Sequence, residues 1–173
     1  NRLAFDQILE FGEAIDLDRA QQLAMVDLNV RVLTDLTLRF ADSIVKNRGG
    51  ILNVASIASF LPGPRMAVYY ATKAYVLSFT EAMRGELGPK GVRVTALCPG
   101  TVPTEFQGVA GFKPGLDSAV LNLSAAAVAR AGYRGLMSNK RLVLPGVGVR
   151  MIPFLLRFAP RSLVLASVAR VQQ

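Results

Sequence analysis

The sequence predicts an α/β fold with an open parallel sheet, and three observations carry that prediction. Two runs rich in apolar and β-branched residues, 51–56 and 92–98, read as short, largely buried strands. Between them lies one long helical stretch, 67–87, closed by Gly88-Pro89. Strand, long helix and strand in that order form a crossover unit, which makes the strands parallel and brings their carboxyl ends to one edge.

The other elements rest on local signals. Asp18 suits the N-cap of a helix with Gln21 at its third position, and Val26, Val30, Leu33, Thr37, Phe40 and Ile44 recur at helical spacing until near Asn47. Gly49-Gly50 then breaks the chain ahead of the first strand, and Pro62-Gly63-Pro64 reads as a loop. Gly111, Pro114 and Gly115 mark a longer loop, whose Phe106, Val109, Phe112 and Leu116 suit the wall of an apolar pocket. Ser124 caps a helix to about Met137, 142–144 is a last strand, and Pro153 and Pro160 each suit the first turn of a short C-terminal helix. The chain reads as a single domain, 1–173, with 150–173 as a C-terminal helical extension.

Composition narrows the function classes. At 173 residues, 51% hydrophobic and 18% charged, the chain has the size and apolar content of one globular domain. Cys98 is the lone cysteine, so no internal disulfide framework is expected, and a chain with no His lacks both the commonest transition-metal ligand and the usual neutral-pH base. No metal site is expected, and acid/base work must fall to another residue type. The longest uncharged stretch, 49–64, is too short and too broken by Gly and Pro to span a bilayer. With no secretory signal or cysteine pattern, a cytoplasmic location is the expectation.

The net charge of +8 is uneven. All 12 acidic residues lie at or before Asp117, whereas Arg130, Arg134, Lys140, Arg141, Arg150, Arg157, Arg161 and Arg170 come after it among apolar runs. Such a segment either lies on an anionic membrane surface or completes a core or subunit interface with its arginines solvated. No recognised motif accompanies the charge, so no nucleic-acid partner is expected.

Tyr69 and Lys73 stand at i and i+4, on one face of the long helix, where an ammonium beside a phenol favours the ionised phenol. The pair alone is weak evidence, because a surface Tyr and Lys on a helix are ordinary. Ser56 strengthens it from the carboxyl end of the first strand, as does Pro99-Gly100 just beyond the second. Ligands bind at that edge of open parallel sheets.

Taken together, the pattern resembles the short-chain dehydrogenase/reductase family. Asn29 in Asp27-Leu-Asn-Val30 resembles the family's helix Asn, 53–56 its serine strand, Tyr69-Tyr-Ala-Thr-Lys73 its Tyr-x-x-x-Lys helix, and Cys98-Pro-Gly-Thr-Val-Pro-Thr104 its Pro-Gly loop. The resemblance covers roughly 11–144. It implies a Rossmann-like, doubly wound parallel sheet, incomplete at its N-terminus, of which this chain supplies the C-terminal two-thirds.

The resemblance also implies an NAD(P)-dependent oxidoreductase that interconverts an alcohol and a ketone or aldehyde on a small apolar substrate. Tyr69 is then the acid/base, Lys73 stabilises the phenolate and holds the nicotinamide ribose, and Ser56 hydrogen-bonds the substrate oxygen. Asn29 holds, by its amide or backbone, a water linking Lys73 to solvent. Pro99, Gly100, Thr101, Val102 and Thr104 contact the cofactor, NAD or NADP, together with Tyr69 and Lys73. Ser59 is the rival to Ser56, but its distance from Tyr69 fits the family spacing worse. Tyr70 has Ala74 where a Lys would stand, and so packs or faces solvent. The two long helices carry apolar residues on more than one face, and the resemblance implies that they pair into a homodimer or homotetramer.

The departures are as informative. No Gly-rich turn for the pyrophosphate is present, and Glu10 stands where an Asn-Asn-Ala-Gly segment should precede Phe11-Gly12. The expectation is a further segment upstream, with residues 5–10 as the strand that normally precedes that motif, and no native peptide junction between Glu10 and Phe11. The alternative is a non-catalytic scaffold or membrane-surface binding protein on the same fold.

Overall fold

The computed structural model of the chain describes residues 11–100 and 123–172. Asp18 caps α1 (Arg19–Val26) by accepting the Ala20 N–H at 2.9 Å. Gln21 does not complete a capping box, since its Oε1 is buried with no hydrogen-bond partner among the described residues. A π-helical stretch, Asp27–Val32, joins α1 to α2 (Leu33–Lys46). Its wider turn rotates α2 relative to α1 about the helix axis. Thr37 is buried and Leu33 and Ile44 are half-buried, while Val26, before that stretch, and Phe40, at the exposed edge of the α2 stripe, face outward.

After α2 come β1 (Gly50–Val54), a 3-10 turn at Ile57–Phe60, α3 (Ala67–Leu87), a second 3-10 turn at Gly88–Lys90, and β2 (Arg93–Leu97). The chain continues through α4 (Ala125–Met137), β3 (Leu142–Val143), α5 (Val147–Leu156) and α6 (Arg161–Val171). The three strands form a parallel sheet in the order β1-β2-β3, with Asn53 opposite Ala96 and Leu97 opposite Val143.

Alternate residues of each strand serve opposite faces, as the pleat requires. Ile51, Val94 and Ala96 point to the α3 side and pack with Val76, Met83 and Leu87. Leu97 and Val143 point to the other side, where Val128 of α4 covers them. Helices on both faces make the sheet doubly wound. On the α4 side the approach is close enough to require glycine, because a Cβ at Gly135 would overlap the Val143 side chain. Arg141 pairs with Glu81 and ties the start of β3 to α3.

The C-terminal helix starts earlier than predicted. Pro153 lies inside α5 and not in its first turn. Val149 is fully buried and draws the preceding turn into the helix, which Gly146 opens at φ 94°. The helix tolerates Pro153 at the loss of one backbone hydrogen bond. Pro160, by contrast, sits at the N-cap of α6. Among the described residues no helix is long and apolar enough to cross a membrane.

Candidate active site

The site is built where β1 runs out. Ladder pairing continues one step past Val54, with the Ala55 N–H donating to the Leu97 carbonyl at 2.8 Å and the Ile57 N–H to that of Pro99 at 2.9 Å. Ser56 is nonetheless outside the strand, because its backbone leaves the ladder to cap the Ile57–Phe60 turn. Its Oγ accepts the Ala58 N–H at 3.1 Å.

Ser59 returns the cap and is fully committed. Its Oγ accepts the Ser56 N–H at 3.3 Å and donates to the Lys73 carbonyl at 2.7 Å, which fastens the serine turn to α3. The rival serine thus has a structural task, while the Ser56 hydroxyl hydrogen-bonds the Tyr69 side chain.

Tyr69 and Lys73 share a face of α3, as the i, i+4 spacing predicts. The Lys73 ammonium lies 5.8 Å from the centre of the Tyr69 ring and donates to the Val54 carbonyl at 3.1 Å. Its position at the strand end is therefore fixed by backbone. Tyr69 packs against the cluster of Met25 and Met66, which Phe11 and Val68 also join, and Tyr70 meets it edge to face at 6.0 Å.

Electrostatics here differ from the expectation drawn from spacing. Burial raises the Tyr69 pKa above its ordinary value, and the Ser56 hydrogen bond only partly opposes this. Burial also lowers the Lys73 pKa, with the neighbouring Cys98 pulling the other way. Desolvation, and not the neighbouring ammonium, sets the direction at Tyr69 and favours the neutral phenol. Cys98 is no rival nucleophile, since burial first of all pushes its thiol up to about 12.

Asn29 lies in the π-helical stretch. Its Nδ2 donates to Thr72 Oγ1 at 3.1 Å, and Thr72 Oγ1 in turn donates to the Tyr69 carbonyl at 2.8 Å. π-turns inside helices are frequent at functional sites because the wider turn places groups an α-turn would not. Thr72 is a residue that sequence reasoning passes over. Its signal in the sequence is a hydroxyl inside a helix three residues after Tyr69, placed to bond back to its carbonyl.

Tyr70 packs against Gly63, where a Cβ would overlap its ring, and its hydroxyl accepts Gln172 Nε2 at 3.0 Å. The structure thus brings Asn29, Ser56, Tyr69 and Lys73 to one edge of the sheet, with Pro99 and Gly100 beside them. Thr101, Val102 and Thr104, and the apolar loop residues Phe106, Val109, Phe112 and Leu116, lie outside the described residues, as does the segment up to Glu10.

A phenol, an ammonium and a hydroxyl converging at a carboxyl edge suit the ribose and carboxamide of a nicotinamide half. Nothing among the described residues supplies a Gly-rich cradle for the remainder of a dinucleotide.

Known proteins resemble this chain in sequence and in fold. The family model described as short chain dehydrogenase matches residues 8–111. Serine 3-dehydrogenase of Agrobacterium fabrum (strain C58 / ATCC 33970) is 38% identical over 82 residues, 47% of this chain and 33% of that protein. The chain spans 32% to 38% of the length of the first curated relatives it matches. A short-chain dehydrogenase from Sphingobium yanoikuyae, solved in complex with NADPH, superimposes with a TM-score of 0.74 at 27% identity, over 90% of this chain and 60% of that one. The 3-ketoacyl-(acyl-carrier-protein) reductase from Brucella melitensis, complexed with NADH, gives a TM-score of 0.71 at 26% identity, over 79% and 61%.

Proposed function

Because the chain belongs to the short-chain dehydrogenase family, we propose that it carries the nicotinamide-handling part of an NAD- or NADP-dependent oxidoreductase that interconverts an alcohol with a ketone or aldehyde. The observation that carries the reading is the convergence of Ser56, Tyr69 and Lys73, with Tyr69 hydrogen-bonded to Ser56 and Lys73 anchored on the Val54 carbonyl beside the Tyr69 ring.

The nicotinamide, when bound, supplies or accepts the hydride. In reduction, Tyr69 gives its phenolic proton to the substrate oxygen, and Ser56 donates a hydrogen bond to that oxygen as negative charge develops on it. Lys73 stabilises the phenolate left behind and is placed to hold the ribose. Asn29, through Thr72, fixes the turn of α3 that carries Tyr69, and the π-helical backbone around it is suited to hold a water that re-protonates the site. In oxidation Tyr69 takes the proton back. Pro99 and Gly100, with Thr101, Val102 and Thr104 after them, are assigned to the carboxamide side.

An apolar substrate is proposed from the apolar side chains Phe106, Val109, Phe112 and Leu116 in the sequence after Gly100. Self-association through α2 and α3 is proposed from Leu36, Leu38 and Phe40, which are exposed on α2. The chain is read as one domain, 1–173, with the helical extension at its C-terminal end.

The test is reduction of ketones and aldehydes by the full-length protein with NADH or NADPH. Tyr69→Phe should lower kcat by about 10²- to 10⁴-fold while circular dichroism and thermal unfolding stay unchanged. Full activity in that variant would sink the acid/base assignment. Failure of the wild type to bind either dinucleotide would favour the non-catalytic alternative.

A further inference from the structure

The C-terminal helices present an apolar stripe outward. In α5 and the turn after it, Met151, Phe154, Leu155 and Phe158 stand at i, i+3, i+4 and i+7, the spacing that in a globular domain faces the core. Here all four are between 49% and 72% exposed, and Phe154 and Phe158 meet edge to face at 5.4 Å in the open. Leu163 and Leu165 of α6 are exposed as well. The α5 helix buries its other side, through Val149, so it is docked on the domain and is not simply loose.

Cations flank the stripe. Arg150, Arg157 and Arg161 are exposed, and among the described residues none of them pairs with a carboxylate. No acidic residue occurs after Asp117, so the side-chain charge that α5 and α6 themselves carry is of one sign.

We propose that the outward face of α5 and α6 is a docking surface for an anionic membrane, with Met151, Phe154, Leu155 and Phe158 entering the headgroup and acyl boundary and the arginines on the phosphates. An apolar stripe rimmed by arginine is the composition of a helix that lies in the interface plane and does not cross it. Charge decides between occupants. A second copy closing face to face on a two-fold axis would set these unpaired arginines against their own copies, whereas an anionic bilayer neutralises them. The inference is independent of the reaction proposed above and concerns another part of the molecule.

These 173 residues contain no Trp, so Phe158→Trp adds a reporter on this face, read as the difference from the unsubstituted protein. In the full-length protein, its emission should shift to the blue on phosphatidylglycerol-containing vesicles and stay unshifted on phosphatidylcholine alone. The wild type should float with the anionic vesicles, and Phe154→Ser with Phe158→Ser should weaken that binding about tenfold while leaving thermal unfolding unchanged. Arg157→Glu with Arg161→Glu should weaken it comparably, and added salt should do the same to the wild type.

Three results would overturn the proposal: no flotation with anionic vesicles, flotation that ignores the phenylalanine substitutions, or lipid-free self-association that those substitutions abolish. The last would assign the face to a second copy.

Discussion

The segment from β1 to β2 and the segment from α5 to α6 use similar apolar residues to opposite ends. In the first, β1, α3 and β2 bury Val76, Leu87, Val94 and Ala96, and the polar groups at the strand ends bind one another. In the second, the large apolar side chains face outward and the cations have no carboxylate partner among the described residues. The contrast teaches that helical periodicity identifies an amphipathic helix but not the direction its apolar side faces. That direction is set by what the neighbouring backbone can bury. A parallel sheet provides an apolar floor for α3, whereas α5 has only Val149 and its neighbours to insert.

The sharpest way to break this comparison is to make the same truncation in both regions. Leu87 is 4% exposed and Leu163 is 62% exposed. Leu87→Ala removes buried methyl groups from the core beneath α3 and should cost about 2–5 kcal/mol in urea unfolding. Leu163→Ala should stay within about 0.5 kcal/mol of the wild type. Equal losses would mean that α6 is part of the core.

Much of the first region is legible in the sequence because short-range signals agree there. Gly88-Pro89 sets the end of α3, Ser124 the start of α4, and the β-branched runs fix both strands to within two residues. Three things are not legible. The π-helical stretch at Asp27–Val32 has no distinctive composition, so periodicity alone runs one stripe through α1 and α2, and it also counts Phe40 inward where that residue lies at the exposed edge of α2. Pro153 reads as a helix start because its missing N–H costs least there, yet burial of Val149 outweighs that preference. The proton balance at Tyr69 depends on desolvation, a property of the folded surroundings that i, i+4 spacing does not encode.

A smaller effect tests how tightly the first region is joined. Thr72 is buried and links Asn29 to the Tyr69 carbonyl. Thr72→Val keeps the shape but leaves the Asn29 amide unpaired, with an expected loss of about 1–2 kcal/mol. If the link positions Tyr69, kcat should fall several-fold with KM little changed, and Thr72→Ser should restore it. A stability loss with kcat intact would make Thr72 structural only.

The smallest effect concerns sign more than size. Lys73 is half-buried, and burial lowers its pKa below 10.5, so the folded chain releases this proton before the unfolded chain does. Below the lowered value the penalty of holding a desolvated ammonium is present in full. Between that value and 10.5 the unfolded chain binds more protons, and stability rises with pH. Lys73→Met removes the ammonium and with it this gain, although it also gives up the hydrogen bond to the Val54 carbonyl. The urea midpoint of the wild type should therefore rise relative to that of the variant as the pH climbs through the lowered value towards 10.5. Tyr69 is common to both proteins, and its raised pKa acts in the opposite direction and at higher pH. A wild-type midpoint that falls relative to the variant's with rising pH would mean that Lys73 is held as an ammonium by a partner stronger than a carbonyl, and the desolvated site described here would be wrong.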